Sequence, residues 1–380
     1  MIQDVTIEKM VFGGLGLAFT PAGALFVEDV LPGEHLKVSI QSKKHGCTTA
    51  KPVEFYSKSP LRREPSCPLA GDCGGCNWLH IDYNAQLQFK KEIFLECLLR
   101  IGHLRELPEI EVYNGPEYGY RMRAQIKIDE QGRGGFFRKK TNSIVSVRNC
   151  PLLSDELNRL LLSIDEKECI VKPGNLKVIS GSSGIASLPV LHGFTNKTTE
   201  IHVGKYVFTI RGEDFFQSNR YLLEKMGSWG YDSVQGDLVV DLYGGTGFFS
   251  VMLHEKFSRG LLIESIDSQV QSARKNFAAN GISNFEAVRA DAENFSSLTK
   301  GATPDLLIVD PPRPGLTKKA REQCRVLNAK KILYVSCNSS TQARDVSFFV
   351  HMNGYRIEKI AFFDLYPNTY HLETAILLVM

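Results

Sequence analysis

The chain has 380 residues, enough for two or three domains, and its 43% apolar and 23% charged composition is that of an ordinary globular protein able to build real cores. No apolar run approaches the roughly 20 residues that cross a bilayer, and the first residues lack the basic start and apolar stretch of a signal peptide. A cytoplasmic, monomeric protein without membrane contact is therefore expected.

The net charge of +3 is unevenly spread. Seven Lys/Arg stand against one acid between His35 and Arg63, and eight against two between Arg121 and Arg148. From Tyr221 onward the charges balance, 17 against 17. A basic front joined to a neutral back suggests that one part holds a polyanion and another processes it, although a merely solvated basic face would look the same.

In residues 1–60, Val5–Ile7, Ala24–Val27 and Glu34–Ile40 read as short strands, punctuated by Gly13-Gly14-Leu15-Gly16 and Pro32-Gly33. Strands this short and close suit a five-stranded OB-like barrel. Residues 61–212 form a second segment. It opens with Cys67, Cys73 and Cys76, continues with an amphipathic helix over Tyr83–Ile101 suited to packing on the third domain, and then turns β-rich over Tyr120–Val147 and Leu176–Ile210. Cys150-Pro151 closes the first β stretch. Residues 213–380 alternate helices with apolar strands at Leu238–Leu242, Gly260–Ile263, Leu306–Val309, Ile332–Val335 and Thr374–Val379. That alternation predicts an α/β domain with a mostly parallel, doubly wound, Rossmann-like sheet.

Strand ends carry the chemistry in such a sheet. Asp241-Leu-Tyr243-Gly244-Gly245-Thr-Gly247 is a strand running into a glycine turn and a helix, and Glu264 ends the next strand about 20 residues on, where an acid meets a ribose diol. The glycine spacing fits NAD poorly. The order Asp241, Glu264, Asp291 fits S-adenosylmethionine better. Cys337 lies just past the strand Ile332–Val335 and before a helix, placed like a nucleophile, although a thiol beside a buried strand is often only a small core group. Cys67, Cys73, Cys76 and Cys150 offer four thiolates, three crowded in one loop and one distant, a set open to zinc or an iron–sulfur cluster. Cys47, Cys97, Cys169 and Cys324 read as structural.

Asp310-Pro-Pro-Arg-Pro-Gly315, Ser336-Cys337-Asn338, His371-Leu-Glu373-Thr-Ala375 and Asp214-Phe-Phe-Gln217-Ser-Asn219 together resemble the RNA uracil-5-methyltransferase family, over essentially the whole chain. Gly13-Gly14-x-Gly16 and Leu31-Pro-Gly-Glu34 resemble that family's TRAM domain, an RNA-binding barrel. The resemblance implies that Cys337 is the nucleophile and Glu373 the general base. It implies that Gln217, Tyr243, Glu264 and Asp310 contact S-adenosylmethionine, and that the four cysteines hold a 4Fe-4S cluster. Where many members have Asn after the glycine turn, this chain has Phe248. The implied substrate is a structured RNA, ribosomal RNA ahead of the tRNA T-loop. A non-catalytic RNA-binding protein would have no need of Cys337 and Glu373, and the cytosine-5 enzymes usually set their nucleophile after proline.

Overall fold

A computed structural model of the chain describes residues 2–44 and 47–380. The N-terminal sheet runs, in spatial order, Ile2–Thr6, His35–Lys44, Cys47–Ser57, Gly23–Val27, Leu15–Thr20 and Lys9–Val11. The first and last of these are halves of one bent strand. Ile7 N–H bonds to Glu34 on one side and Glu8 N–H to Leu17 on the other, so the ring closes on itself around Val5, Ile7, Leu25, Val27, Leu36 and Val38. Cys47–Ser57 escapes a sequence reading because it contains Pro52 and buries only Ala50.

The middle sheet, in the order Ile144–Ser146, Gly134–Phe137, Arg123–Ile128, Gly174–Gly181 and Gly184–Leu188, is antiparallel. It packs on the helix Asp155–Asp165, which turns Leu157, Leu160, Leu161 and Ile164 inward.

The large sheet has eight strands, in the order Phe285–Arg289, Phe257–Glu264, Gly236–Leu242, Leu306–Val309, Lys331–Ser336, Glu373–Val379, Arg356–Phe363 and Ile110–Tyr113. The first five are parallel, and Glu373–Val379 inserts antiparallel. Both faces are covered, so successive residues of the central strand feed different cores: Leu238, Val240 and Leu242 one, Val239 the other.

Proximity in space departs from proximity in sequence at the 212/213 boundary. The helix Tyr83–Arg100 packs against Ser339–Asn353, and its Phe89, Ile93, Phe94 and Leu98 join the core of the large sheet. Ile110–Tyr113 supplies that sheet's last strand. The hairpin Thr198–Val203/Tyr206–Arg211 is tied to the helix Asp267–Ala279 and its cap, Thr209 N–H to Asn276 and Val207 N–H to Asn280. The helix Tyr83–Arg100 and the strand Ile110–Tyr113 therefore join the C-terminal unit, while the hairpin bridges that unit and the middle sheet, to which Ser182 N–H ties it through the Glu200 carbonyl and Thr199 through the Gly184 carbonyl.

Candidate active site

The parallel strands end together at Leu242, Glu264, Val309 and Ser336, and the expected site residues gather at that rim. The turn after Leu242 is forced. Tyr243 adopts φ 64°, unusual for an aromatic residue, and Gly245 and Gly247 lie at 54° and 87°. A Cβ on Gly244 would sit 2.4 Å from Leu262 Cγ, so the chain can turn here only with glycine. The side chains of Gln217, Tyr243 and Asp310 line one pocket with Phe215, Phe216 and Phe248.

Glu264 stands behind that turn, accepting from Gly245 N–H at 3.2 Å and Ile266 N–H at 2.9 Å. Asp241 is buried. One of its oxygens takes both the N–H and the hydroxyl of Ser250, while Oδ1 has no partner, and burial pushes the carboxyl up to about 7. Phe248, where the family often has Asn, packs its ring against Phe208, Phe216 and Phe249 and makes the pocket wall apolar.

Cys337 follows the strand Lys331–Ser336 directly and is half-buried. Asn338 caps the next helix, its side chain accepting from Ser340 and Thr341 N–H. Ser336 pairs with Thr374 in antiparallel register, and Cys337 and Glu373, each one residue beyond that pair, lie close enough for Glu373 to bear on the thiol. Burial, Glu373 and Asp310 together raise the Cys337 thiol to about 11, while Arg313 opposes them. Glu373 itself is buried and held well above the usual carboxyl range by burial and by Asp310. Burial and Asp241 raise Asp310 to about 7. Around the Cys337 thiol the rim thus holds two carboxyls, Glu373 and Asp310, with Arg313 as the nearby cation.

Sequence reading missed two side chains here. Arg313 acts on both Cys337 and Glu373, and its position inside Asp310-Pro-Pro-Arg could have signalled it. Tyr366, raised to about 12 chiefly by burial and then by Glu373, faces the same space, and nothing local marked it.

The four cysteines are brought together. Cys67, Cys73, Cys76 and Cys150 line one largely apolar pocket with Arg121, Phe136 and Leu153. Burial raises Cys73, Cys76 and Cys150 above the ordinary thiol range, and for Cys76 the next causes are the three other cysteines. Among the described residues no group of three or more His, Cys, Asp or Glu stands in an arrangement that would hold a metal ion.

Residues 170–380 match the family model for tRNA (uracil-5-)-methyltransferase. An uncharacterized RNA methyltransferase of Aquifex aeolicus is 31% identical, covering 98% of this chain and 97% of its own. The 23S rRNA (uracil(1939)-C(5))-methyltransferase RlmD of Aliivibrio fischeri is 28% identical over 98% and 95%. The Pyrococcus abyssi tRNA (uracil-54, C5)-methyltransferase, solved with S-adenosyl-L-homocysteine, superposes with a TM-score of 0.77 over 99% of this chain and all of that one, at 24% identity, a likeness of fold. A matched model over more than half the chain and a full-length relative above 30% identity place it: the chain belongs to the RNA uracil-5-methyltransferase family.

Proposed function

We propose that this enzyme transfers the methyl group of S-adenosylmethionine to carbon 5 of a uridine in structured RNA, with 23S ribosomal RNA as the substrate ahead of tRNA. The full-length ribosomal RNA relative supports that order. The observation that supports the reaction is that Asp310, which lines the glycine-turn pocket, bears on both Cys337 and Glu373, which follow and begin the paired strands joined at Ser336 and Thr374.

The pocket's own chemistry fits the donor. Gly244 lets the turn close tightly against Leu262, Gly245 donates its N–H to Glu264, and Glu264 offers a carboxyl group for a ribose diol. Asp310 and Gln217 line the same pocket. Bound there, S-adenosylmethionine supplies an electrophilic methyl group.

Uracil carbon 5 is too weak a nucleophile alone. Cys337 gives up its proton to solvent and adds as thiolate to carbon 6, forming the carbon–sulfur bond and an enolate whose carbon 5 takes the methyl and releases S-adenosylhomocysteine. Glu373 as carboxylate then removes the carbon 5 proton, and the carbon–sulfur bond breaks to release the thiolate. Arg313 favours both anions. A base must leave its stack to reach a half-buried thiol, so flipping is part of the reading. We assign RNA gripping to the barrel (residues 1–60) and the middle segment (61–212), and residues 213–380, with the elements they recruit, to catalysis.

The four thiols lining one pocket are the ligand type and number that an iron–sulfur cluster takes. They would hold it next to Arg121.

The test is incubation with tritiated S-adenosylmethionine and separate transcripts of 23S ribosomal RNA and tRNA, with Cys337→Ala as control. Label in ribosomal RNA, absent with Cys337→Ala, is expected. Equal labelling by the variant would sink the mechanism, and label confined to tRNA would reverse the substrate order.

A further inference from the structure

Behind the catalytic rim, the connection Asp364–Leu372 leads from the strand Arg356–Phe363 into Glu373, and side chains from far earlier in the chain hold it. Lys90 on the helix Tyr83–Arg100 is fully buried. Its Nζ lies 2.6 Å from Asp364 Oδ1 and also donates to the Tyr366 carbonyl at 3.0 Å. One turn earlier Gln86, also buried, grips Asn368 twice: Oε1 accepts the Asn368 N–H at 2.8 Å, and Nε2 donates to Asn368 Oδ1 at 3.2 Å. Asn368 sits at φ 65°, a conformation that persists when its surroundings fix it. Asn219 donates to the Leu365 carbonyl and Tyr120 to that of Pro367.

Stability alone does not account for this ion pair. A fully desolvated pair is costly, and apolar residues of similar size often pack as well or better. Asp364 Oδ2 is buried without a partner, which adds to the cost. What the arrangement supplies is a fixed geometry. Lys90 pins the backbone at Tyr366 and Gln86 pins it at Asn368, within seven and five residues of Glu373.

We infer that Lys90 and Gln86 are positioning residues for methyl transfer, holding the Asp364–Leu372 connection so that the Glu373 carboxyl stays in line to take the carbon 5 proton. This rests on the reading of Glu373 as the base. Misplacing a catalytic group by about 1 Å can cost on the order of 100-fold in rate. The step that suffers is elimination, so the methylated covalent adduct should build up.

The experiment uses the full-length enzyme with tritiated S-adenosylmethionine and a 23S ribosomal RNA transcript. Turnover, melting temperature and the SDS-resistant protein–RNA adduct are measured for Gln86→Leu, Lys90→Met/Asp364→Leu and Glu373→Gln. The double variant removes both buried charges, so it should melt at or above the wild-type temperature, yet it lacks the bond to the Tyr366 carbonyl. Turnover about 10- to 100-fold slower, with excess adduct as in Glu373→Gln, is expected for it and for Gln86→Leu. Adduct in Glu373→Gln but none in excess in the other two, or turnover that follows melting temperature alone, would overturn the positioning role. No adduct in Glu373→Gln would overturn the base assignment and the inference with it.

Discussion

Thr374 and Ser336 face each other across the antiparallel pair at the centre of the rim, with Thr374 Oγ1 at 3.1 Å from the Ser336 carbonyl and 2.7 Å from Gln342 Oε1. Gln342 in turn donates to the Tyr334 carbonyl at 3.0 Å. This buried junction ties the strand that ends at Cys337, the helix that follows it and the strand that begins at Glu373.

Thr374→Val keeps the shape and removes the hydroxyl. It leaves Gln342 Oε1 buried without a donor, which costs about 1–3 kcal/mol. Urea unfolding should show that loss, and rapid-quench measurement of adduct formation should show a slower first step. A variant of unchanged stability would mean that the junction matters less than its burial implies.

The thiol's surroundings give a second prediction. Cys337 is raised to about 11 by burial and by two carboxyls, so near neutral pH the free enzyme holds it as thiol. Alkylation by iodoacetamide, followed by peptide mass spectrometry, should be slow at pH 8 and climb steadily toward pH 11. Glu373→Gln and Asp310→Asn should each speed it at pH 8, and Arg313→Met should slow it. Reversed signs would show that the carboxyls do not govern the thiol.

Gly244 and Gly245 separate two kinds of glycine requirement. A methyl group on Gly244 meets Leu262 Cγ at 2.4 Å, a clash with a packed core side chain, and overpacking of this kind costs about 1–3 kcal/mol. At Gly245 the nearest atom is the flexible Gln269 Oε1 at 3.2 Å, so the cost is the left-handed φ of 54°, about 1–2 kcal/mol. Gly244→Ala should therefore lose both melting temperature and calorimetric affinity for S-adenosylhomocysteine. Gly245→Ala should keep most of its affinity. Equal losses in affinity would contradict the assignment.

The α/β alternation was legible because strands such as Leu306–Val309 are buried on both faces and read as unbroken apolar runs. The strands toward the two edges were not. Phe285–Arg289 at one edge and Arg356–Phe363, next to the last strand at the other, carry charged residues among the apolar ones, and the edge strand Ile110–Tyr113 is only four residues long. Cys337, Glu373 and the pocket residues could be read from short motifs because their spacing along the chain is local to strand ends. Lys90 and Gln86 could not. They look like polar residues of an ordinary surface helix, and only the fold shows that this face is covered by Asp364 and Asn368.

Buried Asp241 carries a pH signature. Its carboxyl is raised from the ordinary range of about 4 to about 7, because burial outweighs the two bonds from Ser250. A group whose pKa is raised on folding stabilises fully below its unfolded value and loses that contribution as pH climbs to the folded value. Asp241→Asn mimics the protonated form. Wild type should therefore lose stability relative to Asp241→Asn between about pH 4 and pH 7, by urea midpoints. A constant difference over that window would show that Asp241 does not titrate there.

The cysteine pocket is tested through proton competition. Thiols that burial holds above their ordinary range must give up their protons to ligate, so metal binding there has to displace protons and weakens as pH falls. Anaerobic reconstitution with iron and sulfide should give about four iron atoms per chain if the site takes the cubane cluster that four thiolates suit. Cys76→Ala, removing the thiol whose environment is shaped by the other three, should bring iron content close to zero. Retention measured by iron analysis after gel filtration should fall as the buffer is taken from pH 8 to pH 6. One zinc per chain, taken up in preference to iron, would defeat the cluster assignment while keeping the ligand set. Iron retained undiminished by Cys76→Ala would defeat the ligand set itself.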